Sequence, residues 1–327
     1  MDKIARLSEK DRRDLFQETA HIMGTTFEVV EKDYWVVWTL CKLFSHEELR
    51  KILMFKGGTS LSKVFGIIDR FSEDIDLIID WELLTSENPH EERSKTQQAK
   101  FNTGIVGQSE KYIEEKLLPI VSDILQPQCE CSIGDNKSTI NINYPRVHVS
   151  ESLLPHILLE IGPLASWVPS ADFTITPFVA KEFPDKFDKH SCDVKAIIAE
   201  RTFWEKATIL HQEANRPEGK VMPLRYSRHY YDLAMMAKSV VKGSALSKYL
   251  YLLDDVVEFK RKFYHSSWTK YEDAKIGTLK LIPQKYRHKE LIVDYKSMQN
   301  MIFGKPIELK EILEILHNLE NEINAIN

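Results

Sequence analysis

Asp74 and Asp76 are the residues whose types and spacing most directly suggest chemistry. They open the run "DIDLII" at positions i and i+2, so on a β-strand both carboxylates project from one face. Two like charges this close are disfavoured unless a cation lies between them, and carboxylate oxygens are ligands that Mg²⁺ prefers. An EF-hand is excluded because apolar residues follow where further oxygen ligands would stand. Alone, the pair predicts exposed acids at a sheet edge, with a divalent metal site as the alternative, and the metal site is favoured only when the pair is taken together with the glycine turn before it.

A double glycine precedes this pair by about fifteen residues. Gly57 and Gly58 follow the apolar run "KILMF", and Thr59 and Ser60 come next. Glycines let phosphate oxygens approach backbone N–H groups, and the two hydroxyls add donors. A P-loop is excluded because no Gly-Lys-Ser/Thr triplet closes the turn. Alone, the double glycine predicts a turn, with a phosphate-binding turn as the alternative.

The elements around these residues predict a strand–helix–strand unit. "KILMF" is typical of a buried strand, "TSLSKVFGII" of a helix and "DIDLIID" of a second strand. Two helices are expected before this unit. The first begins near Ser8 with Asp11 as a capping partner and ends at Gly24, and the second runs from Thr26 to Ser45.

The rest of the chain changes from strands to helices. "STININYPRVHV" and "HILLEIGPL" predict strands, Pro169–Asp193 predicts a loop, and "VKAIIAERTFWEKATILHQEA" predicts an amphipathic helix. Further helices are expected in "RYSRHYYDLAMMAKSV", "SALSKYLYLLDDVVEFKRKFY" and "ELKEILEILHNLENEINAI". The predicted fold class is α+β, a mixed α/β region over residues 1–195 followed by a helical domain over 196–327.

Composition favours a globular protein in a reducing compartment. Hydrophobic residues make up 43% and charged residues 28% of the 327, and no apolar run approaches the ~20 residues of a membrane helix. Cys41, Cys129, Cys131 and Cys192 are too few and too scattered for a disulfide framework, and they lack zinc spacing. We expect a cytoplasmic protein without a membrane segment.

Charge is distributed unevenly along the chain. Between Lys220 and Lys310 there are 18 Lys and Arg against 9 Asp and Glu, although the whole chain has a net charge of −5. Such a cationic third suits a polyanion, since Lys and Arg carry phosphate attraction. Solvated helix faces are the equally supported alternative.

The glycine turn and the acidic strand together resemble the core of nucleotidyltransferases related to DNA polymerase β. With "VEKDYW" before them and "ERTFWEK" and "RHYYDL" after them, the blocks from Glu31 to Leu233 resemble the AbiEii family of bacterial nucleotidyltransferase toxins. The resemblance implies a polymerase-β-like core with a mixed sheet and a helical C-terminal domain. It also implies the toxin half of a type IV-like toxin–antitoxin or abortive-infection system, and so a cognate antitoxin.

The resemblance further implies a site for a nucleoside triphosphate. Asp74 and Asp76 would hold Mg²⁺, or Mn²⁺ in its place, and Glu160 in "LLEIG" is the candidate for a third acid. The residues implied to bind the nucleotide are Lys56, Gly57, Gly58, Thr59, Ser60, Lys63 and Arg228.

Two later residues complete the implied catalytic set with Asp74 and Asp76. Lys206 in "ERTFWEK" matches the family's motif lysine, which contacts nucleotide phosphates, and Asp232 in "RHYYDL" matches its motif aspartate. Asp232 could act as a general base or orient Lys206 through a salt bridge, and both alternatives stand. Many members have Lys-Asp where His229-Tyr230 stand here.

The implied function is transfer of a nucleoside monophosphate from a triphosphate to an acceptor, with release of pyrophosphate. The 3′ end of tRNA is the acceptor that the resemblance suggests, and a cationic C-terminal third would fit RNA. The alternative function is a GTP-binding regulatory or partner-binding protein that transfers nothing.

Overall fold

Two units of structure make up the chain in a computed structural model that describes residues 1–72, 74–148, 154–303 and 305–326. The first unit contains residues 1–65 and 71–197, and the second contains residues 66–70 and 198–327. The sequence-based boundary lay between residues 195 and 196. The short segment 66–70, which groups with the second unit, was not anticipated.

A seven-stranded mixed sheet forms the centre of the first unit. Its strands are β1 (Leu53–Lys56), β2 (Asp74–Ile79), β3 (Glu130–Ile133), β4 (Thr139–Asn143), β5 (Ile157–Gly162), β6 (Ser170–Ile175) and β7 (Cys192–Ile197). The spatial order is β3-β4-β5-β2-β1-β7-β6, with β2–β5 and β1–β7 parallel and the other pairs antiparallel. Both strands of the predicted strand–helix–strand unit, β1 and β2, therefore lie inside the sheet, as their apolar composition indicates.

Helices pack around this sheet. They are α1 (Asp2–Ala5), α2 (Glu9–Met23), α3 (Phe27–Ser45), α4 (Glu47–Ile52), α5 (Gly57–Lys63), α6 (Lys95–Tyr112), α7 (Leu118–Leu125) and α8 (Phe178–Glu182). Helix α3 packs against β7 and β5, and its aromatic residues Tyr34, Trp35 and Trp38 are buried. They belong to the core, as their helical spacing predicts.

The ends of α2 follow the sequence signals. The Ser8 side chain accepts a hydrogen bond from the Asp11 N–H, and Gly24 has a φ of +63° after the last turn. A hydroxyl at the N-cap accepts a hydrogen bond from a first-turn N–H that has no partner within the helix. A glycine in the left-handed conformation ends the helix. Both predicted ends are confirmed.

Strands β6 and β7 correct two predictions. Residues 169–193 were predicted as a loop, but β6 lies within them, and the first residues of the helix predicted from Val194 belong to β7. A short apolar run such as "VKAII" is compatible with either a strand or a helix, and only pairing with β1 and β6 decides it. Val149, the last residue of the strand predicted in "STININYPRVHV", lies outside the described residues.

A disulfide joins Cys41 on α3 to Cys192 on β7. The expectation that the cysteines are unpaired is therefore wrong for these two residues. They stand 151 positions apart in sequence, so their spacing could not reveal the pairing. Cys129 and Cys131 are free, and burial raises the pKa of Cys129 to about 12 and that of Cys131 to about 11.

The second unit is helical. Its helices are α9 (Ala199–Ala214), α10 (Ser227–Lys238), α11 (Val240–Ala245), α12 (Leu252–Phe263), α13 (His288–Met298) and α14 (Leu309–Asn324). Helix α9 packs against α10, α11 and α12, and α14 covers α10 with Ile312, Leu316 and Leu319 buried. Within the described ranges, no helix has the length and apolar character needed to cross a bilayer.

Candidate active site

The glycine turn and the acidic strand are packed directly against each other. Gly57 follows β1 with a φ of +83°, and a Cβ added to it would overlap the carboxylate of Asp76. Asp74 and Asp76 are half-buried on β2, whereas the intervening Ile75 is fully buried, so the two acids share one face as predicted. Gly57 is therefore required both for the turn and for the room that the Asp76 carboxylate occupies.

Gly57→Ala is expected to lower transfer activity by at least about 100-fold, because the new methyl group displaces the Asp76 carboxylate. Gly24→Ala is the matched control, since Gly24 also has a positive φ of +63° but has nothing within 4 Å of an added Cβ. The control should lose only about 1 kcal/mol of stability, the cost of the left-handed conformation, and keep its activity. Pyrophosphate release and urea unfolding measure both effects. Equal activity losses in the two variants would contradict this account.

The hydroxyls after the glycines donate within the protein. The Thr59 hydroxyl donates to the main-chain carbonyl of Asp74, and the Ser60 hydroxyl donates to the carbonyl of Gly57 at 2.8 Å. Both side chains are buried. In this arrangement Thr59 ties α5 to the start of β2, and backbone N–H groups are the donors that remain for phosphate.

Neighbouring strands place two further charged residues beside Asp76. Lys56 on β1 and Glu160 on β5 are its direct partners in register. Partners in register share a face of the sheet, so the predicted third acid points to the same side as Asp76. Over the described ranges, no group of three or more His, Cys, Asp or Glu side chains could hold a metal ion. Asp74 and Asp76 are thus the metal ligands to consider, and Glu160 stays a prediction.

Lys63, at the end of α5, lies in a buried ion pair. Its ammonium contacts the carboxylate of Asp33 on α3 and stands 3.4 Å from the centre of the Phe178 ring. The other carboxylate oxygen of Asp33 accepts a hydrogen bond from the Phe178 N–H at 2.6 Å. The Lys63 side chain is 6% exposed and that of Asp33 is fully buried. Lys63 therefore has a charge partner inside the first unit, and its contact with a nucleotide stays a prediction.

The block "VEKDYW" places two more charged residues of α3 in the protein interior. Glu31 accepts a hydrogen bond from the Val147 N–H at 2.8 Å, and the Lys32 ammonium donates to the Leu154 carbonyl at 3.0 Å. Both residues are buried. Burial raises the pKa of Glu31 to about 7 despite the hydrogen bond from Val147. These contacts hold the chain on either side of residues 149–153 against α3.

The stability of the protein is expected to fall as the pH rises from about 4.5 to above 7, because the folded state keeps a proton on Glu31 that the unfolded chain releases. A shift from 4.5 to about 7 corresponds to roughly 3 kcal/mol. Glu31→Gln keeps the acceptor for Val147 and should remove this part of the slope. Urea unfolding between pH 5 and 8 measures it, with the exposed Glu47→Gln as control. A wild-type slope in Glu31→Gln would contradict the assignment.

The second unit contains a buried charge network around Asp232. Its carboxylate accepts two hydrogen bonds from Arg70, from Nε at 2.6 Å and Nη2 at 2.8 Å, and pairs with the Lys206 ammonium at 2.9 Å. Nδ1 of His229 lies 3.0 Å from the same ammonium. The salt bridge that was one of the two alternatives for Asp232 is therefore present in the structure.

Burial and charge set the protonation of this network. Burial alone would raise the pKa of Asp232, but the charges of Arg70 and Lys206 outweigh it and hold that pKa below its usual range. Burial lowers the pKa of Lys206 in spite of Asp232, and burial with the charges of Lys206 and Arg228 lowers the pKa of His229 well below 6.5. His229 is thus neutral, and Asp232 is an ionised carboxylate of low basicity.

Arg70 was not singled out from the sequence, although it stands in the block "RFSEDIDL". Arg70 pairs with Asp232, and the segment 66–70 also forms backbone contacts with other residues of the second unit. The Asp69 N–H donates to the Tyr231 hydroxyl at 3.2 Å, the Phe303 N–H donates to the Asp69 carbonyl at 2.6 Å, and Arg70 forms a β-bridge with Ile302. The position of Arg70, four residues before Asp74, was the one feature of the sequence that could have drawn attention to it. Its pairing could not be predicted, because its partner Asp232 lies 162 residues away.

The cationic third of the chain presents many of its lysines to solvent. Eleven are exposed, at positions 220, 238, 248, 270, 275, 280, 285, 289, 296, 305 and 310. Exposed ammonium groups can attract phosphates at long range. This surface is compatible with the polyanion interpretation and with solvated helices alike.

Comparisons with known proteins give one family and one fold. A family model described as nucleotidyl transferase AbiEii toxin, type IV toxin–antitoxin system, matches residues 38–317. Among solved structures, the nucleotidyltransferase toxin MenT4 from Mycobacterium tuberculosis H37Rv is similar, with 15% identity, a TM-score of 0.54, and coverage of 96% of this chain and 90% of that chain. A comparison with curated proteins finds no match.

Proposed function

The chain belongs to the AbiEii family of nucleotidyltransferase toxins, and from this we propose that it transfers a nucleoside monophosphate from a triphosphate to an RNA acceptor in a Mg²⁺-dependent reaction. The family match establishes a nucleotidyltransferase of a type IV toxin–antitoxin system, and the mixed α/β fold agrees with the prediction. The observation that carries the proposal is the packing of Gly57 against Asp76, which joins the glycine turn and the acidic pair into one site.

The two aspartates fit a divalent cation. They share one face of β2, and hard carboxylate oxygens on one or two residues are how proteins hold Mg²⁺ together with substrate phosphates. Asp74 and Asp76 would hold the ion, with Mn²⁺ as a substitute. When bound, the ion would neutralise charge on the phosphate oxygens and on the pyrophosphate that leaves.

The chain's own groups supply the remaining contacts. The backbone N–H groups of Gly58, Thr59 and Ser60 would bind the triphosphate at the turn, with Lys56 adding charge beside Asp76. Lys206 and Arg228 would contribute cationic charge to the same reaction. Asp232 would orient Lys206 through their salt bridge, which the low basicity of this carboxylate favours over a role as general base.

We base the proposed acceptor on the exposed lysines and the proposed partner on the toxin family. The eleven exposed lysines between residues 220 and 310 are compatible with an RNA acceptor, and the 3′ end of tRNA is the acceptor that we propose. The toxin role implies an antitoxin as partner. We place the activity in the cytoplasm because both the triphosphate and tRNA are present there.

A transfer assay tests the proposal. The protein is incubated with each of four α-labelled triphosphates, Mg²⁺ and whole-cell RNA, and pyrophosphate release and labelled RNA are measured. We expect label in the tRNA fraction with at least one triphosphate, and its loss with EDTA. Binding of GTP without pyrophosphate release at any acceptor would contradict transfer and favour a nucleotide-binding regulator.

A further inference from the structure

We propose that Lys63 and Asp33 are a positioning pair for the glycine turn, so that the lysine of "KGGTSLSK" acts through the protein and does not contact the nucleotide. The inference rests on the proposed function, because the turn that the pair positions is the proposed triphosphate site. It assigns a role to Asp33 in "VEKDYW", and it gives Lys63 a role different from the one that the sequence resemblance implies.

Helix α5 connects the buried Lys63 at its C-terminal end to the glycine turn at its N-terminal end. The helix has seven residues, Gly57–Lys63, and is therefore about 10 Å long. Its first residue is the glycine that packs against Asp76, and its last residue carries the buried ammonium. Because about 10 Å of hydrogen-bonded helix separates the two ends, a contact that holds Lys63 restrains the position of Gly57.

The Lys63 ammonium has an opposite charge and an aromatic ring beside it within the protein. Asp33 supplies the carboxylate, and the Phe178 ring lies 3.4 Å away on α8. Asp33 is itself held by the N–H of Phe178, so the three residues join α3, α5 and α8. Burial lowers the pKa of Lys63, and a contacting carboxylate is the kind of group that favours the charged form. A phosphate at this ammonium would compete with a carboxylate that is itself fully buried.

The energetics of buried pairs give the proposal a sharp test. Removing one partner leaves an uncompensated buried charge and is strongly destabilising, whereas replacing both partners by neutral groups of similar size is often tolerated. Asp33→Asn keeps an oxygen for the Phe178 N–H, and its amide can donate to the new side chain of Lys63→Gln. The double variant therefore retains a hydrogen bond between the helices without either charge.

The experiment is a double-mutant cycle on the full-length chain. Unfolding in urea, the Kd of a fluorescent GTP analogue, and kcat for pyrophosphate release are measured for Asp33→Asn, Lys63→Gln and the double variant. Activity is measured at a temperature at which circular dichroism shows each variant to be folded. The exposed pair Lys51 and Glu47, with side chains 69% and 87% exposed, is neutralised in the same way as a matched control.

We expect each single variant to lower the folding equilibrium constant about 100-fold and kcat at least 10-fold, and the double variant to recover most of both. The Kd for the nucleotide should stay within about 3-fold of wild type in the double variant. The control pair should change neither quantity. A merely structural pair would leave kcat of the folded single variants unchanged, and that result would overturn the positioning role.

A double variant that folds as stably as wild type but binds the nucleotide at least 10-fold more weakly would also overturn the proposal, because it would show that Lys63 contacts the phosphates. Additive effects of the two substitutions on stability would show that no pair exists. If the wild-type protein released no pyrophosphate, the proposed function would fail separately, and the stability cycle and the nucleotide Kd would still decide whether Lys63 pairs with Asp33 or contacts the nucleotide.

Discussion

The Asp76→Asn variant is expected to fold like the wild type and to release pyrophosphate at least about 10³-fold more slowly, which corresponds to roughly 4 kcal/mol of transition-state stabilisation. Asparagine has nearly the shape of aspartate, so the packing against Gly57 is retained. The amide removes one of the two negative charges that would hold the divalent ion. Loss of charge without loss of shape therefore isolates the electrostatic role of Asp76.

Glu130→Gln is the matched control for Asp76→Asn. Glu130 is an exposed acid on β3, the edge strand of the same sheet, so its neutralisation changes the net charge equally without touching the site. The control should transfer nucleotide at the wild-type rate. Growth inhibition in cells that express each variant should follow the same order. An Asp76→Asn protein with wild-type transfer and toxicity would show that the acidic pair does not hold the catalytic ion.

The Asp232→Asn variant is expected to lose about 3–5 kcal/mol of stability, because Arg70 and Lys206 would then be buried without an opposing charge. Its side chain is fully buried, so water cannot screen the two cations. Urea unfolding measures the loss, and the exposed Asp255→Asn on α12 is the control for removal of one negative charge from the second unit.

The same substitution separates the two roles considered for Asp232. A positioning carboxylate predicts that stability and transfer fall together. A variant that unfolds like wild type but transfers nothing would instead favour a general base. The direction of the pKa shift adds a pH test. Because the folded state holds the pKa of Asp232 below 3.8, its contribution to stability is present above that pH and is lost as the pH falls through the folded value.

The local elements of the site were largely readable from the sequence. The alternation in "DIDLII" predicted a strand with both acids on one face, and β2 has that arrangement. The apolar runs around the double glycine predicted a strand followed by a helix, as β1 and α5 show. These predictions succeeded because side-chain periodicity and glycine conformation act over a few residues. The prediction for β7 was wrong, because "VKAII" becomes a strand only by pairing with β1 and β6.

What the sequence by itself determined about this protein is the glycine turn, the acidic pair on one strand face, the change from sheet to helices, and the membership of a nucleotidyltransferase family. Only the tertiary structure decided which charged side chains form ion pairs with other residues inside the protein. Lys63 and Asp232 are chemically suited to a nucleotide site, yet their partners Asp33 and Arg70 stand 30 and 162 positions away in the chain. A charge's role depends on its burial and on its nearest opposite charge, and both are set by packing between elements distant in sequence.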